Sequence, residues 1–174
     1  INVDYYFRLN FSGFQKIIDA LGGITVNSDY TFDVGSFHYV KGDKYLNGEQ
    51  ALAFARERHA FATGDRQRGE DQMKVIKAVF NKATSSAVLA NYTDLLASLE
   101  GTFETSMSYD TLAKLVRQQL DQGTGWDIET YSVNGSGQSS YTYSISNMKV
   151  YVMLPDQSTV DTAKEKIQAV LDGE

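Results

Sequence analysis

The sequence has no cysteine, which excludes a disulfide framework, a thiol nucleophile and a thiolate zinc site. Its two histidines, His38 and His59, lie far apart and without metal-ligand spacing. No run approaches the roughly twenty apolar residues of a membrane helix, so any anchor is expected outside this chain. Neither Gly-x-Gly-x-x-Gly nor a P-loop occurs, and nucleotide binding is unsupported. Positive charge is scarce, with 16 Lys and Arg against 22 Asp and Glu and a net charge of −6, which excludes the broad basic face of a nucleic-acid binder.

What is present fits one soluble domain: 174 residues, 42% of them apolar, enough to bury a substantial core. Charge is not evenly spread. Lys41 to Lys82 holds nine Lys and Arg against six Asp and Glu, and Leu46 to Gln72 alone contains Arg56, Arg58, Arg66 and Arg68. A positive island in an acidic protein points to an anionic ligand. Asn47 and Gln50 have capping-box spacing, and Ala51, Leu52 and Ala55 give the following helix an apolar face. Arg56 and Arg58 would diverge by about 200° on a helix but share a face on an extended segment, which predicts a helix end near Ala55. Past Gly64, Asp65, Arg68 and Gln72 fall within about 60° of one another on a new helix. Convergent guanidinium groups suit phosphate, and a helix N-terminus adds its own positive end. The competing reading is a solvated face with Arg56, Glu57 and Arg58 in surface ion pairs.

At these residues the chain resembles the LytR-CpsA-Psr family of cell-wall glycopolymer ligases. LNGEQALAFARERH, followed by Asp65, Arg68 and Gln72, is similar to the family block LNG-x-x-AL-x-aromatic-x-R-x-R…D-x-x-R-x-x-R-Q. Asp4 to Val26, DYYFRLNFSGFQKIIDALGGITV, resembles the segment leading into the family's Gly-Gly turn. Asp71 departs from the pattern, standing where many members carry a further arginine. Capsule-associated streptococcal members are the nearest likeness.

The resemblance implies an α/β fold of α/β/α type, a central mixed β-sheet flanked by helices, incomplete here because the chain starts inside the domain at the strand-like INVDYYFRLN. Residues 1–100 would carry the pyrophosphate site, and 101–174 the closing strands and helices. It implies phosphotransfer, with a peptidoglycan hydroxyl attacking a polyprenyl-pyrophosphate-linked glycopolymer and polyprenyl phosphate leaving. Arg56, Arg58 and Arg68 would clamp the pyrophosphate and Gln72 donate an orienting hydrogen bond. Asp65 would either orient Arg68 or act as base. Magnesium is the implied cofactor, its ligands in a missing N-terminal segment and none in this chain. The location implied is the outer face of the cytoplasmic membrane, with an N-terminal transmembrane anchor outside the chain. The alternatives are a binding or regulatory module that holds the lipid pyrophosphate without transfer, and a pyrophosphate hydrolase.

Apolar stripes elsewhere admit two readings. Ile17, Leu21, Phe54, Ile76, Val79, Phe80, Leu95 and Leu96 are plain core or, by resemblance, the wall of a polyprenyl tunnel. Further readings are a doubly buried strand over Val3 to Asn10, a helix capped by Ser12 and stopped by Gly22-Gly23, a strand at Ile24 to Val26, and a hairpin over Thr31 to Val40 bending at Gly35. Lys74, Lys77 and Lys82 are read as solvating the outer side of the long helix. Leu89 to Leu99 reads as a helix ended by Gly101. After it come a helix capped by Ser108 or Asp110 and broken by Gly123 and Gly125, then a strand over Trp126 to Val133. Asn134 to Ser140 reads as a surface loop or a substrate lid, Lys149 to Leu154 as a strand, and a helix opened by Ser158 runs to Leu171.

Overall fold

In the computed structural model, which describes residues 3–123 and 126–173, Asn10 starts the first helix. Its side chain accepts the Gly13 N–H at 2.8 Å, so α1 (Phe11–Ala20) is capped two residues before Ser12, whose hydroxyl instead donates to Asn10 Oδ1. Ahead of it β1 (Phe7–Leu9) is short and exposed on both faces, a correction to the doubly buried strand. Arg8 forms an exposed ion pair with Glu104.

Gly22 and Gly23 end α1 as read, and β2 (Ile24–Ser28) follows, alternating with Ile24, Val26 and Ser28 buried. The hairpin is β3 (Phe32–Val34) and β4 (Phe37–Tyr39), with Gly35 in the bend. An unforeseen strand, β5 (Gly42–Leu46), pairs antiparallel with β2 from Ile24↔Leu46 to Ser28↔Gly42. The predicted capping box then opens α2 (Gly48–Arg56), Asn47 Oδ1 taking the Gln50 N–H at 2.9 Å while Gln50 Oε1 takes the Asn47 N–H at 3.1 Å.

Beyond Gly64, whose φ of 49° a side chain rarely adopts, runs α3 (Asp65–Ala83). The leucine-rich segment divides into α4 (Ser86–Leu89) and α5 (Tyr92–Ser98). β6 (Phe103–Thr105) pairs with β1, with Phe7 and Phe103 stacked at 4.3 Å. α6 (Tyr109–Gln122) is capped by Ser108 and ends at left-handed Gly123; Gly125 lies outside the described residues.

The chain divides into two compact units, residues 1–128 and 129–174. In the first, α1 packs on α2, α2 on α3, and α3 on β2. Ile18, Val26, Phe32, Tyr39, Leu46, Phe54 and Val75 fill the core between them. Phe32 stacks on Tyr39 at 4.8 Å and meets Phe61 edge-on at 4.8 Å, an aromatic cluster that fixes the hairpin and the loop after α2 on one core.

In the second unit, β7 (Gly135–Ser140) and β8 (Val150–Pro155) form a ladder from Gly135↔Pro155 to Ser140↔Val150, followed by α7 (Gln157–Asp172) with Asp156 as its cap. Two expectations are corrected here. Trp126 to Val133 carries no strand, and the Gly/Ser stretch read as loop or lid is itself a strand. The α/β class stands. Among the described residues its strands pair as four two-stranded antiparallel ladders.

Candidate functional site

Glu49, Leu52, Ala53 and Arg56 recur at i, i+3, i+4 and i+7 of α2 and present one face to a cleft of about 800 Å³. Phe11 and Gln15, one turn apart on α1, form a wall, and Val34 and Phe37 of the hairpin form another. The charged end is closed by Glu57, Arg58 and His59 of the loop after α2 and by Arg68 and Gln72 of α3.

The structure therefore brings Arg56, Arg58, Arg68 and Gln72 into one cleft. It does so by a route the spacing did not show, because α2 runs one residue beyond Ala55 and Arg56 is helical. Only after Glu57, at ψ 136°, does the backbone turn extended and carry Arg58 back toward the same space. Arg56 stacks its guanidinium over the Phe11 ring, 4.6 Å from the centroid. Arg58 Nη1 and Arg68 Nη2 lie 3.3 and 3.1 Å from Asp65 Oδ1. Gln72 donates an amide hydrogen to the Ala55 carbonyl at 3.1 Å and ties α3 to the end of α2. His59 Nε2 accepts from Arg58 Nε at 3.3 Å.

Arg66 pairs with Glu70 on an exposed face. Asp71 also turns away from the cleft. It is 1% exposed, its Oδ1 accepting from Gln67 Nε2 at 3.1 Å and lying 3.6 Å from Lys74 Nζ, with Oδ2 buried and without a hydrogen-bond partner. Lys74 joins Asp71 to Asp29, whose Oδ2 also accepts from Gln67, so this lysine is structural and not the outer solvating residue expected. Burial pushes the Asp71 carboxyl above its ordinary value, while the Lys74 hydrogen bond holds Asp29 below it. Lys77 donates to the Ile128 carbonyl at 2.8 Å.

None of the residues considered for a lipid tail lines this cleft. Phe54 belongs to the core, Val79 packs against it, and Leu21 is buried. Ile17, Leu95 and Leu96 are half-buried; Ile76 and Phe80 are exposed, Phe80 meeting Trp126 edge-on at 5.3 Å. Leu95 lines a separate groove with Val88 and Leu99. No helix among the described residues is long and apolar enough to cross a membrane. No cluster of three or more His, Cys, Asp or Glu that could hold a metal occurs among them.

The family model described as LytR_cpsA_psr matches residues 1–168. The chain belongs to the LytR-CpsA-Psr family. Its relatives include the polyisoprenyl-teichoic acid–peptidoglycan teichoic acid transferase TagU of Bacillus mycoides, 37% identical over 64% of this chain and 37% of the relative. TagU of Bacillus subtilis is 31% identical over 79% of this chain and 44% of the relative. The chain thus spans less than half the length of these relatives. The crystal structure of B. subtilis TagV superposes with a TM-score of 0.79 at 27% identity, covering 99% of this chain and 65% of that one.

Phe11, Gln15, Val34, Phe37, Glu49 and Glu57 escaped sequence reasoning as cleft residues. The α2 set was within reach: continuing the helical count from Glu49 through Leu52 and Ala53 arrives at Arg56. Nothing in the sequence marks the α1 and hairpin walls, which only tertiary packing brings alongside.

Proposed function

We propose that this chain carries the pyrophosphate-binding cleft of a glycopolymer transferase acting outside the cytoplasmic membrane. The donor is a polyprenyl-pyrophosphate-linked glycan and the acceptor a peptidoglycan hydroxyl. The acceptor oxygen bonds to the phosphorus next to the sugar, the bridging P–O bond breaks, polyprenyl phosphate leaves, and the hydroxyl proton passes to base or water. One observation carries the reading: Arg56, Arg58 and Arg68, from a helix end, a loop and a helix start, open onto one cleft.

Guanidinium groups keep their charge and meet phosphate with paired donors, so they offset charge that builds on transferred and leaving oxygens. Asp65, contacting Arg58 and Arg68 through one oxygen, serves in this reading to orient them. Gln72 holds the two helices that bear Arg56 and Arg68 in register. The TagU relatives, named as transferases of teichoic acid to peptidoglycan, support this substrate class.

The test is turnover by the protein that carries this chain, supplied with a polyprenyl-pyrophosphate-linked saccharide and peptidoglycan. The reading expects saccharide phosphate on peptidoglycan and one polyprenyl phosphate released per transfer. Binding of donor without product would make it a carrier-binding module, and release of saccharide phosphate to water alone would make it a hydrolase.

A further inference from the structure

Glu57 lies between Arg56, the last residue of α2, and Arg58 of the loop, and its carboxylate turns back on the chain. One oxygen, Oε1, accepts the backbone N–H of Arg58 at 2.8 Å, that of His59, and that of Ala60 at 2.8 Å. Successive backbone N–H groups aimed at one point form a concavity that binds anions. Of these residues Glu57, Arg58 and His59 line the cleft, as does Arg68.

We propose that the amides of Arg58, His59 and Ala60 are a further phosphate-oxygen subsite of the cleft, with the Glu57 carboxylate as its internal occupant until a ligand displaces it. The proposal rests on the cleft binding pyrophosphate. The loop does not depend on Glu57 alone for its course. The Glu57 N–H bonds to the Phe54 carbonyl, the Gly64 N–H to the Phe61 carbonyl at 3.1 Å, and the Phe61 ring is seated on Phe32. Arg58 is further tied to Asp65 across the loop. The three amides therefore keep their arrangement when the carboxylate swings to water, and Glu57 is only half-buried. A pyrophosphate oxygen brings more negative charge than a carboxylate to the same donors, and the neighbouring arginines favour the exchange. No covalent bond changes: three N–H groups pass from one oxygen to another. Glu57 therefore competes with the ligand and lowers its affinity.

Calorimetric titration of the chain with inorganic pyrophosphate tests this, using wild type, Glu57→Gln, Glu57→Ala and Arg58→Ala. Glu49→Gln serves as the baseline for loss of one negative charge from the same cleft. Expected is roughly three- to tenfold tighter binding for Glu57→Ala, more than Glu49→Gln gives, with Glu57→Gln between, a change of up to about 1.4 kcal/mol. In wild type, the His59 and Ala60 amide resonances should shift during titration. Affinity that falls in Glu57→Ala, or rises no more than in Glu49→Gln, overturns the subsite, as do amides that stay still while Arg58→Ala abolishes binding. In those cases Glu57 is a fastening and the arginine reading survives. Pyrophosphate binding to none of the proteins, all melting normally, overturns the arginine reading and this proposal together.

Discussion

Arg58 reaches back across the Gly64 break to Asp65, placing Nη1 3.3 Å from Oδ1, and Arg68 takes the same oxygen at 3.1 Å. One carboxylate oxygen thus sets the separation of two guanidinium groups that come from different elements. Asp65→Asn keeps an oxygen acceptor and removes the charge. It should lower kcat about tenfold, given that 1.36 kcal/mol is tenfold in rate, while pyrophosphate affinity stays level or tightens. Steady-state kinetics over pH decide the role. A lost acidic limb, the low-pH fall in rate that protonation of a base causes, with almost no residual turnover, would make Asp65 the proton acceptor and not the orienter.

Arg56→Ala, Arg58→Ala and Arg68→Ala should each cost about ten- to a hundredfold in transfer, since a hydrogen bond to a charged group contributes roughly 1.5–3 kcal/mol. Lysine at Arg58 should rescue only partly, because a point charge cannot reproduce a two-pronged contact. Arg66→Ala should be mild, its partner being Glu70 on an exposed face. Assays on variants whose melting matches wild type check this, and equal losses at Arg66 and Arg58 would mean that bulk charge alone is sensed.

How much of this the sequence disclosed follows the range of the interactions involved. The Asn47 and Gln50 capping box and the start of α3 at Asp65 were legible because each is decided within a few residues. β5 was not, because GDKYL becomes a strand through its partner β2, and β7 was not, because GSGQSS has little strand propensity and extends only by pairing with β8. Asn10 displaced Ser12 as cap since either residue type can do it and only the backbone course chooses. The spacing puts Arg56 and Arg58 together on an extended segment, whereas Arg56 is the last residue of α2 and only Arg58 lies on the extended backbone beyond Glu57. The carboxylates of Glu57 and Asp71 were beyond reach, because a side chain's choice between chain amides, core and solvent is a tertiary outcome.

Asp71 and Asp29 should give opposite pH signatures. Asp71 has a raised pKa in the folded state, so the native protein holds a proton that the unfolded chain releases, and stability falls as pH rises from the ordinary 3.8 through the raised value. Relative to wild type, Asp71→Asn should therefore gain melting temperature progressively from acid to neutral pH. Asp29 has a lowered pKa, so its contribution is present above 3.8 and lost as pH falls through the lowered value. Asp29→Asn should accordingly lose most at neutral pH and converge on wild type in acid. Parallel trends in the two melting series would contradict the assignment.

Gly48 admits no side chain, since a Cβ there would meet the Gln15 carbonyl oxygen of α1 at 2.3 Å. Gly48→Ala should push α2 off α1 at a cost of about 1–3 kcal/mol. For a chain of this size that lowers the melting temperature by about 3–10 °C. Because α2 carries Arg56 and α1 carries Phe11, pyrophosphate affinity should fall in the same variant below its melting temperature. A normal melt with normal affinity would show that the helices can shift freely.

The most direct measurement is a crystal structure with a bound polyprenyl-pyrophosphate-linked saccharide. The account predicts pyrophosphate oxygens within hydrogen-bond distance of the guanidinium groups of Arg56, Arg58 and Arg68, in the cleft between α1, α2 and the hairpin. Pyrophosphate bound elsewhere, with Arg58 and Arg68 still on Asp65 and Arg56 still over Phe11 and none of the three touching the ligand, would contradict it.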